Sequence, residues 1–407
     1  MRTKLVGMIV LAVAVPLLFA ASAPHNVPLG SVTLTAAGDS VVIPFIFRGN
    51  HVLVRGAIGD SDSLWFFVDS GAGSHCLNRS RADRLGLEVQ DGVEALGAGG
   101  KVQAGSAHDV KYRLPGLAVD ADFAAVIDLD PIALQIGVPV DGILGYPLFK
   151  QMVVTIDYDR SVLVLRDPGR FKPAGAGLPL TFRDNHPYVN GKLTLPGRKP
   201  VEGSFVLDTG SGLALTLAPD FVQRNHALQS VPKTVQVRLG GVGGRSYQPI
   251  GRVERFELGP YALERPVAIF SQPGPGKTSS PGSIGNIGGD VLQRFRVTFD
   301  YPHERLYLAP SPSFARAFEA DMTGMTLDVR AEGDHAIAVE RVEPGSPAAQ
   351  LGITAGDIVE SVDGRPLLAA DLAALKKRTK LEGQSIKLGL MRGTARSEVT
   401  LTTRRLI

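Results

Sequence analysis

Short runs of β-branched and aromatic residues, broken every few positions by Gly, Pro, Asn or Asp, make up most of the chain. Runs of this kind are typical of strands joined by turns, and helical periodicity is nearly absent from this part. The pattern changes at about Met322. Beyond it, apolar residues fall on one face of a helical segment at 369–379, and strand-like runs at 385–391 and 396–402 finish the chain. The pattern predicts an all-β body followed by a small α+β module.

The β-rich body contains an internal repeat, because four landmarks recur in the same order. The landmarks are a Phe-Arg-x-Asn-His turn, an apolar strand that runs into an acid, a glycine-rich segment, and an apolar-Gly element followed by a strand. They are found at 47–56, 64–71, 96–100 and 143–158 in the first copy and at 182–191, 204–210, 239–244 and 287–301 in the second. Duplication of one lobe explains this order economically.

The chain has 407 residues, which is the length of two or three typical domains. Proline-rich stretches at 168–179 and 302–312 mark the seams between them. We therefore predict a mainly β fold, in which two homologous all-β lobes at 28–170 and 171–312 form an internal pseudo-dimer. A third, α+β domain is predicted at 320–407.

The first residues have the three parts of a secretory signal. Arg2 and Lys4 are followed by the apolar run 5–20 and by small residues that end at Ala23. We predict a signal peptide at 1–23 and export to the periplasm or another extracytoplasmic compartment. An uncleaved anchor is the alternative, since the apolar run approaches the length that spans a membrane, and only then is a membrane partner expected.

Composition excludes several classes of function. Hydrophobic residues make up 44 % of the chain and charged residues 20 %, as is ordinary for a globular protein, and the formal net charge is only +3. No block of Lys and Arg resembles a nucleic-acid footprint, so no nucleic-acid partner is expected. Cys76 is the only cysteine, which excludes an intrachain disulfide and a thiol-based metal cluster. We expect no cofactor and no metal.

Asp69 and Asp208 end the apolar strands of the two copies, in Asp-Ser-Gly and Asp-Thr-Gly respectively. Hydrolysis of a peptide without a metal or a covalent intermediate needs one group that takes a proton from water and another that gives a proton to the amide. Two carboxylates that share one proton do both, because like charges about 3 Å apart cannot both ionise. The alternative is that both motifs are turns that end strands. Their matching places in a repeat favour a catalytic pair.

The two motifs resemble the active-site sequences of the retropepsin and pepsin clan of aspartic peptidases, and the resemblance covers roughly residues 40–310. It implies that Asp69 and Asp208 are the catalytic pair. The shared-proton behaviour used above is the established behaviour of that clan. The small hydroxyl after each acid is implied to lock the lobes together, and the glycine after it to support the site. These supporting residues are Ser70, Gly71, Thr209 and Gly210.

The same resemblance implies two flaps over the substrate, formed by the glycine-rich segments. Their glycines are Gly97, Gly99, Gly100, Gly240, Gly241 and Gly243. The clan's later element, two hydrophobic residues and a glycine, is matched by 143–145 and 287–289. Gly288 departs from it, because a larger apolar residue usually occupies that place. Lobe length and the lack of disulfides resemble bacterial retropepsin-like enzymes more than secreted pepsins.

The third domain resembles PDZ domains that are appended to bacterial exported proteases. Its motif comprises Pro-Gly-Ser-Pro-Ala-Ala at 344–349, Gly-Asp-Ile-Val at 356–359 and Val-Asp-Gly at 362–364. The resemblance implies that a peptide adds as a β-strand and places its terminal carboxylate on backbone N–H groups. The residues implied are Gly324, Met325, Thr326 and Leu327. A packing module without a ligand is the alternative.

We therefore predict an aspartic endopeptidase that hydrolyses peptide bonds of protein or peptide substrates, with a PDZ-like domain that recruits C-termini of substrates or partners. A catalytically silent peptide-binding protein that acts through the PDZ-like domain is the alternative from another class. His75 and Cys76 do not form a nucleophile-base pair, because neighbours on a strand point to opposite faces. The sequence assigns no role to His51 and His186, which recur in the repeat.

Overall fold

The fold is taken from a computed structural model. The structure describes residues 18–19, 29–97, 100–274, 282–330 and 336–407. Strands make up 48 % of the chain and helices 14 %, which confirms the predicted mainly β fold. Apart from Leu18 and Phe19, the predicted signal peptide lies outside the described residues. None of the described helices is long and apolar enough to cross a membrane.

The first lobe consists of mostly antiparallel strands with short helices between them. Its strands are β1 (Leu18–Phe19), β2 (Ser31–Leu34), β3 (Ser40–Arg48), β4 (His51–Ile58), β5 (Leu64–Val68), β6 (His75–Asn78), β7 (Gln90–Gly97), β8 (Gly100–Ala107), β9 (Val110–Leu114), β10 (Leu117–Ala121), β11 (Ala124–Ile127), β12 (Gly142–Leu144), β13 (Val153–Asp157) and β14 (Val162–Arg166). Its α-helices are α1 (Arg79–Arg84), α2 (Asp130–Ile136) and α3 (Tyr146–Gln151), and a 3₁₀ helix follows at Pro168–Arg170. Strand β9 shows the alternation that the pattern predicts, since Val110, Tyr112 and Leu114 are buried while Lys111 and Arg113 are exposed.

The second lobe repeats this arrangement. Its strands are β15 (Leu178–Pro179), β16 (Thr181–Arg183), β17 (His186–Thr194), β18 (Val201–Leu207), β19 (Leu215–Leu217), β20 (Val235–Gly241), β21 (Gly244–Arg252), β22 (Arg255–Leu258), β23 (Tyr261–Glu264), β24 (Val267–Phe270), β25 (Gly285–Ile287), β26 (Phe295–Asp300) and β27 (Arg305–Pro310). Its α-helices are α4 (Pro219–Arg224) and α5 (Gly289–Leu292), with a 3₁₀ helix at Leu228–Ser230.

Each acid-bearing strand has the same neighbours in its lobe. Strand β5 pairs antiparallel with β4 and parallel with β12, and β18 pairs antiparallel with β17 and parallel with β25. The residues just before each acid are apolar and buried, at 66–68 in β5 and at 205–207 in β18. Each acid therefore follows the buried end of its strand.

The two lobes share one sheet, whose strand order is β3–β14–β13–β26–β27–β15. At its centre β13 and β26 pair antiparallel, with Thr155 opposite Thr298 and their hydroxyl oxygens 2.8 Å apart. These strands are equivalent members of the repeat. An approximate twofold axis therefore passes between the two threonines, as an internal pseudo-dimer requires.

The third domain is a small sheet with two helices around one core. Its strands are β28 (Met325–Val329), β29 (Ile337–Val342), β30 (Ile358–Val362), β31 (Arg365–Pro366), β32 (Ser385–Arg392) and β33 (Ala395–Thr402), and its helices are α6 (Pro347–Gln350), a 3₁₀ turn at Ala369–Asp371 and α7 (Leu372–Thr379). Leu372 and Leu375 of α7 are buried against Leu327 and Leu388 of the sheet, as the apolar face of the predicted helix requires. Ser346 caps α6 by accepting from the Ala349 N–H.

The third domain packs against both lobes. Helix α7 contacts α2 of the first lobe. In the second lobe, Arg252 at the end of β21 donates to the carbonyl of Ile407 at 3.2 Å and forms an ion pair at 2.7 Å with Glu319, just before the third domain. Leu406, near the chain end, shares an apolar cluster with Leu239 and Ile250 of β20 and β21. The hairpin β20–β21 is therefore the main element of the second lobe that the third domain covers.

Candidate active site

Asp69 and Asp208 follow β5 and β18 at equivalent places, and neither has any exposed surface. The Asp69 N–H donates to the carbonyl of Leu144, and the Asp208 N–H donates to the carbonyl of Ile287, both at 3.0 Å. Each acid is thus fixed by the strand that runs parallel to its own. The twofold arrangement brings the two acids together at the centre of the lobe interface.

The residues after the acids bind the two loops to each other. Ser70 Oγ donates to the carbonyl of Leu207 at 3.0 Å, and Thr209 Oγ1 donates to the carbonyl of Val68 at 2.8 Å. Each hydroxyl also accepts the backbone N–H of the other loop, from Ser70 at 2.9 Å and from Thr209 at 3.0 Å. These four buried hydrogen bonds join the two acid loops, and each hydroxyl both donates and accepts. We call this set the interlobe lock.

Gly71 and Gly210 each lie against the carboxyl group of the opposite lobe. A Cβ at Gly210 would stand 2.1 Å from Asp69 Oδ2, and a Cβ at Gly71 would stand 2.6 Å from Asp208 Oδ1. No side chain fits in either place. The two motifs therefore require glycine because of close approach across the interface.

The two carboxyl groups lie close enough to interact electrostatically, and within the described residues neither Asp69 Oδ2 nor Asp208 Oδ1 receives a hydrogen bond. Burial and the neighbouring Asp208 hold the pKa of Asp69 well above its ordinary value, although the Gly71 N–H donates to Asp69 Oδ1 at 2.8 Å. Burial also raises the pKa of Asp208, to about 6, against the hydrogen bond from Asn286. The pair as a whole therefore holds a proton at a higher pH than an ordinary carboxyl group does.

The structure corrects the register of the later element in the second lobe. The predicted match placed 287–289 against 143–145. Ile287, however, occupies the place of Leu144, because it receives the N–H of the acid. Gly288 then takes the place of Gly145, and in both a Cβ would collide with carbonyl oxygens of the acid loop. The supposed departure at Gly288 was wrong, since Gly288 is the element's own glycine.

In the corrected register the residue that departs is Asn286, which stands where the first lobe has Ile143. Asn286 is buried, and its Nδ2 donates to Asp208 Oδ2 at 2.6 Å. A hydrogen bond to a carboxylate favours its ionised form. One polar residue at a position that is apolar in the other lobe thus makes the pair electrically unequal.

The Asn-His turns of the repeat connect each lobe to the acid loop of the other. Asn50 Nδ2 donates to the carbonyl of Gly212 at 2.7 Å, and Asn185 Nδ2 donates to the carbonyl of Gly73 at 3.3 Å. Both asparagines have positive φ, 66° and 62°, which asparagine tolerates better than most residues. The recurrence of Phe-Arg-x-Asn-His was the signal for this role, but the sequence analysis did not assign it.

The histidine after Asn50 stays neutral at physiological pH. His51 is buried, and burial lowers its pKa to about 4 although it is hydrogen-bonded to the backbone of Thr209. His75 on β6 is similar: burial lowers its pKa to about 4, and its Nδ1 accepts the Gly145 N–H at 3.3 Å. Burial raises the pKa of the adjacent Cys76 thiol. These groups are consistent with structural roles rather than with a thiol nucleophile.

The glycine-rich segments form two hairpins, β7–β8 and β20–β21, whose tips meet. A Cβ at Gly97 would lie 2.3 Å from the carbonyl oxygen of Val242, and one at Gly243 would lie 2.0 Å from that of Gly100. Val242 is buried among apolar side chains of the first lobe. The cleft is therefore closed over the acids. Gly240 and Gly241 lie at the end of β20, and Gly99 lies outside the described residues.

The predicted carboxylate-binding segment of the third domain is engaged from within the chain. Asp321 Oδ1 accepts the Gly324 N–H at 3.0 Å, and Thr323 Oγ1 accepts the Met325 N–H at 3.1 Å. Thr326 pairs with β29, and the Leu327 carbonyl accepts a hydrogen bond from Arg238 of the second lobe. Gly324 has a φ of 77°, which favours glycine there. Within the described ranges, no group of three or more His, Cys, Asp or Glu is placed to hold a metal ion.

Comparisons with known proteins agree with this division. The aspartyl protease family matches residues 54–148 and 188–291, and the PDZ domain family matches residues 338–388. A putative serine protease HhoA from Synechocystis sp. is 40 % identical over 72 residues, which cover 17 % of this chain and 18 % of that protein. The match thus spans less than a fifth of that relative. A photosystem II D1 C-terminal processing protease is 19 % identical over 24 % of this chain and 26 % of that one, with a TM-score of 0.21.

The aspartyl protease matches cover one segment in each lobe and include both acids, while the PDZ match lies within the third domain. The chain is therefore protease-like, with two aspartyl-protease repeats followed by a PDZ domain.

Proposed function

We propose that this chain is an aspartic endopeptidase of the retropepsin-like kind, with one active site between its lobes. The observation that carries the proposal is the meeting of two fully buried carboxyl groups across the lobe interface, where each lies against the glycine of the other acid's motif. A pair of acids that shares a proton holds a general base and a general acid side by side. Protein and peptide substrates follow from this chemistry and from the PDZ domain.

The inequality of the pair assigns a role to each acid. Asp208, whose carboxylate Asn286 stabilises, takes a proton from the attacking water as the water oxygen bonds to the carbonyl carbon. Asp69 gives its proton to the carbonyl oxygen, which produces a neutral tetrahedral diol. In the second step Asp208 gives the proton to the amide nitrogen, the C–N bond breaks, and a diol hydroxyl returns a proton to Asp69. The pair ends in its starting protonation state.

The flaps must open for a substrate to reach the acids. In the described conformation Asp69 and Asp208 have no exposed surface. Val242, at the tip of the β20–β21 hairpin that forms the second flap, fills an apolar site of the first lobe. Displacement of Val242 by an apolar substrate side chain would replace one buried contact with another. Closure over the substrate would then exclude water and fix the amide against the acids.

A serine mechanism is the alternative that the name of HhoA raises. That match covers 72 residues, whereas the two segments of the aspartyl protease type lie one in each lobe. In the part of the chain that the structure describes, the ring nitrogens of His51 and His75 form no hydrogen bond with a serine hydroxyl. The geometry supports the aspartic mechanism better.

The test is degradation of an unfolded protein by the full chain, measured across acidic to neutral pH. Asp69→Asn and Asp208→Asn should each abolish cleavage, because an amide fills the same space but cannot exchange the shared proton. Asp62→Asn, at an exposed carboxylate, is the matched control and should cleave normally. The serine alternative would be supported if a serine-directed phosphonate inhibited cleavage by the wild type and if the two asparagine variants still cleaved the substrate. Inactivity of the wild type at every pH would favour the silent peptide-binding protein.

We also propose that the protein acts outside the cytoplasm, on the basis of the signal-like sequence at 1–23. Cell fractionation of the full chain and of a chain that lacks these residues tests it. Recovery of both in the cytoplasm would contradict export.

A further inference from the structure

Strand β28 has one edge that is not paired with another strand, and a peptide would add to the PDZ domain at this edge. The second flap, which is the β20–β21 hairpin at 235–252, lies against it. Within the described residues, β28 pairs with β29 alone. The Gly324 carbonyl accepts the Glu343 N–H, and the Arg330 N–H donates to the Ala336 carbonyl, at the two ends of β29. Because backbone groups of alternate residues face the same side of a strand, those of residues 326 and 328 also face β29. The Leu327 carbonyl therefore points to the free edge, where Arg238 Nη2 donates to it at 3.4 Å.

Arg238 belongs to β20 of the second flap and has no exposed surface. Its guanidinium forms ion pairs with Glu340 and, at 3.4 Å, with Asp328, both of the PDZ domain. A buried arginine at a domain interface requires such partners, because an unpaired buried charge is strongly unfavourable. The hairpin is held there at further points, since Arg245 lies 3.8 Å from Asp328 and the Gln236 N–H donates to Glu343.

We propose that the second flap and an external peptide compete for the edge of β28, so that a peptide C-terminus bound by the PDZ domain releases the flap and opens the cleft. The structure is the latched state, in which Arg238 occupies the edge and the flap tips are closed over the acids. This inference goes beyond the proposed peptidase activity, because the contact exists whether or not the acids cleave peptides.

The charged groups near the edge of β28 suit a carboxylate ligand. Lys376 of α7 is half-buried, and burial together with the charge of Arg238 lowers its pKa to about 7. Arg238 and the partly protonated Lys376 thus repel each other, and Asp321 Oδ1 accepts the N–H groups of Thr323 and Gly324 just before β28. A peptide's terminal carboxylate would take the place of Asp321 there, while its backbone would take the place of Arg238 along β28.

Hydrogen exchange of the hairpin amides at 235–252 measures release of the flap without any need for catalysis. The full chain carrying Asp69→Asn is the background, so a failure of the proposed peptidase activity and a failure of the latch are distinguishable. Glu340→Gln removes one acid from Arg238 and should speed exchange in the hairpin about tenfold. Glu360→Gln is the matched control, because Glu360 is a glutamate of similar exposure, 30 % against 28 %, that pairs with Arg396 inside the PDZ domain. Equal exchange in the two variants would overturn the latch.

The second arm adds a mixture of random short peptides with apolar last residues, either with free carboxyl termini or amidated. The free-acid mixture should speed hairpin exchange in the Asp69→Asn chain, and should do so at lower concentration when Glu340→Gln is also present. The amidated mixture should leave exchange unchanged, because it cannot replace the carboxylate of Asp321. No response to the free-acid mixture, or the same response to both mixtures, would overturn the competition.

Discussion

Replacement of Asp208 by asparagine should stabilise the protein at neutral and alkaline pH while it removes activity. Burial raises the pKa of Asp208 from 3.8 to about 6, so the folded state binds this proton more tightly than the unfolded state does. Protonated Asp208 therefore contributes to the free energy of unfolding. This contribution is complete below the unfolded pKa of 3.8 and is lost as the pH rises through about 6. Asparagine stays neutral and keeps Oδ1 available to Asn286, so the variant does not lose this contribution.

The pKa difference sets the size of the effect. A rise of about two pKa units corresponds to about 3 kcal/mol, since one unit is worth about 1.4 kcal/mol. The free energy of unfolding of Asp208→Asn, relative to the wild type, should therefore increase by about 3 kcal/mol between pH 4 and pH 8. The removal of a like charge beside Asp69 acts in the same direction.

Urea unfolding at both pH values measures this difference. Trp65 is the only tryptophan and lies on β5, the strand that leads to Asp69, so its fluorescence reports unfolding at the site. Asp62→Asn, at an exposed carboxylate, is the control and should follow the wild type at both pH values. A difference between Asp208→Asn and the wild type that is constant from pH 4 to pH 8 would refute the raised pKa of Asp208.

Three further predictions concern the other groups of the centre. Asn286→Leu removes the hydrogen-bond donor to the Asp208 carboxylate and should raise the pKa of Asp208, so the acid limb of the pH profile of kcat/KM should move up by about one pH unit. An unchanged acid limb would show that Asn286 does not act on the pair. Thr209→Val removes two of the four bonds of the interlobe lock and should lower the free energy of unfolding by about 2–4 kcal/mol in urea titrations, whereas the exposed Thr181→Val should change it negligibly. Gly210→Ala places a methyl group 2.1 Å from Asp69 Oδ2 and should abolish cleavage of the unfolded protein, whereas a variant that cleaves would show that Gly210 does not lie this close to Asp69.

The sequence predicted those parts of the site that leave a local pattern. An apolar strand that ends in Asp-[Ser/Thr]-Gly, found twice in a repeat, is enough to predict that the two acids meet, because equivalent positions of a duplicated lobe converge on a twofold axis. The element after it was harder to align. Two adjacent glycines at 288–289 allow two registers, and only the backbone bond from Asp208 to Ile287 distinguishes them.

Contacts between distant segments could not be predicted in this way. In the sequence, Arg238 is one polar residue on a predicted flap strand. Its sequence neighbours do not indicate that it pairs with Asp328 and Glu340 of another domain. The partners lie about a hundred residues apart in sequence, and an ion pair imposes no periodicity on either segment. The same reason hid the reach of Asn50 into the opposite lobe, although its recurrence in the repeat was visible.

The strand pairing at the lobe interface also bears on the ancestry of the chain. In the repeat, residues 154–156 correspond to residues 297–299. The pairing places Val154 opposite Phe299, Thr155 opposite Thr298, and Ile156 opposite Val297, so the two equivalent threonines face each other at the centre. Two identical polypeptides related by a twofold rotation pair in this way, with the same residue opposite itself at the axis. A single lobe produced alone thus already carries a self-complementary edge for a homodimer. Fusion of two such genes, followed by divergence at Ile143 and Asn286, accounts for an enzyme whose halves are no longer interchangeable.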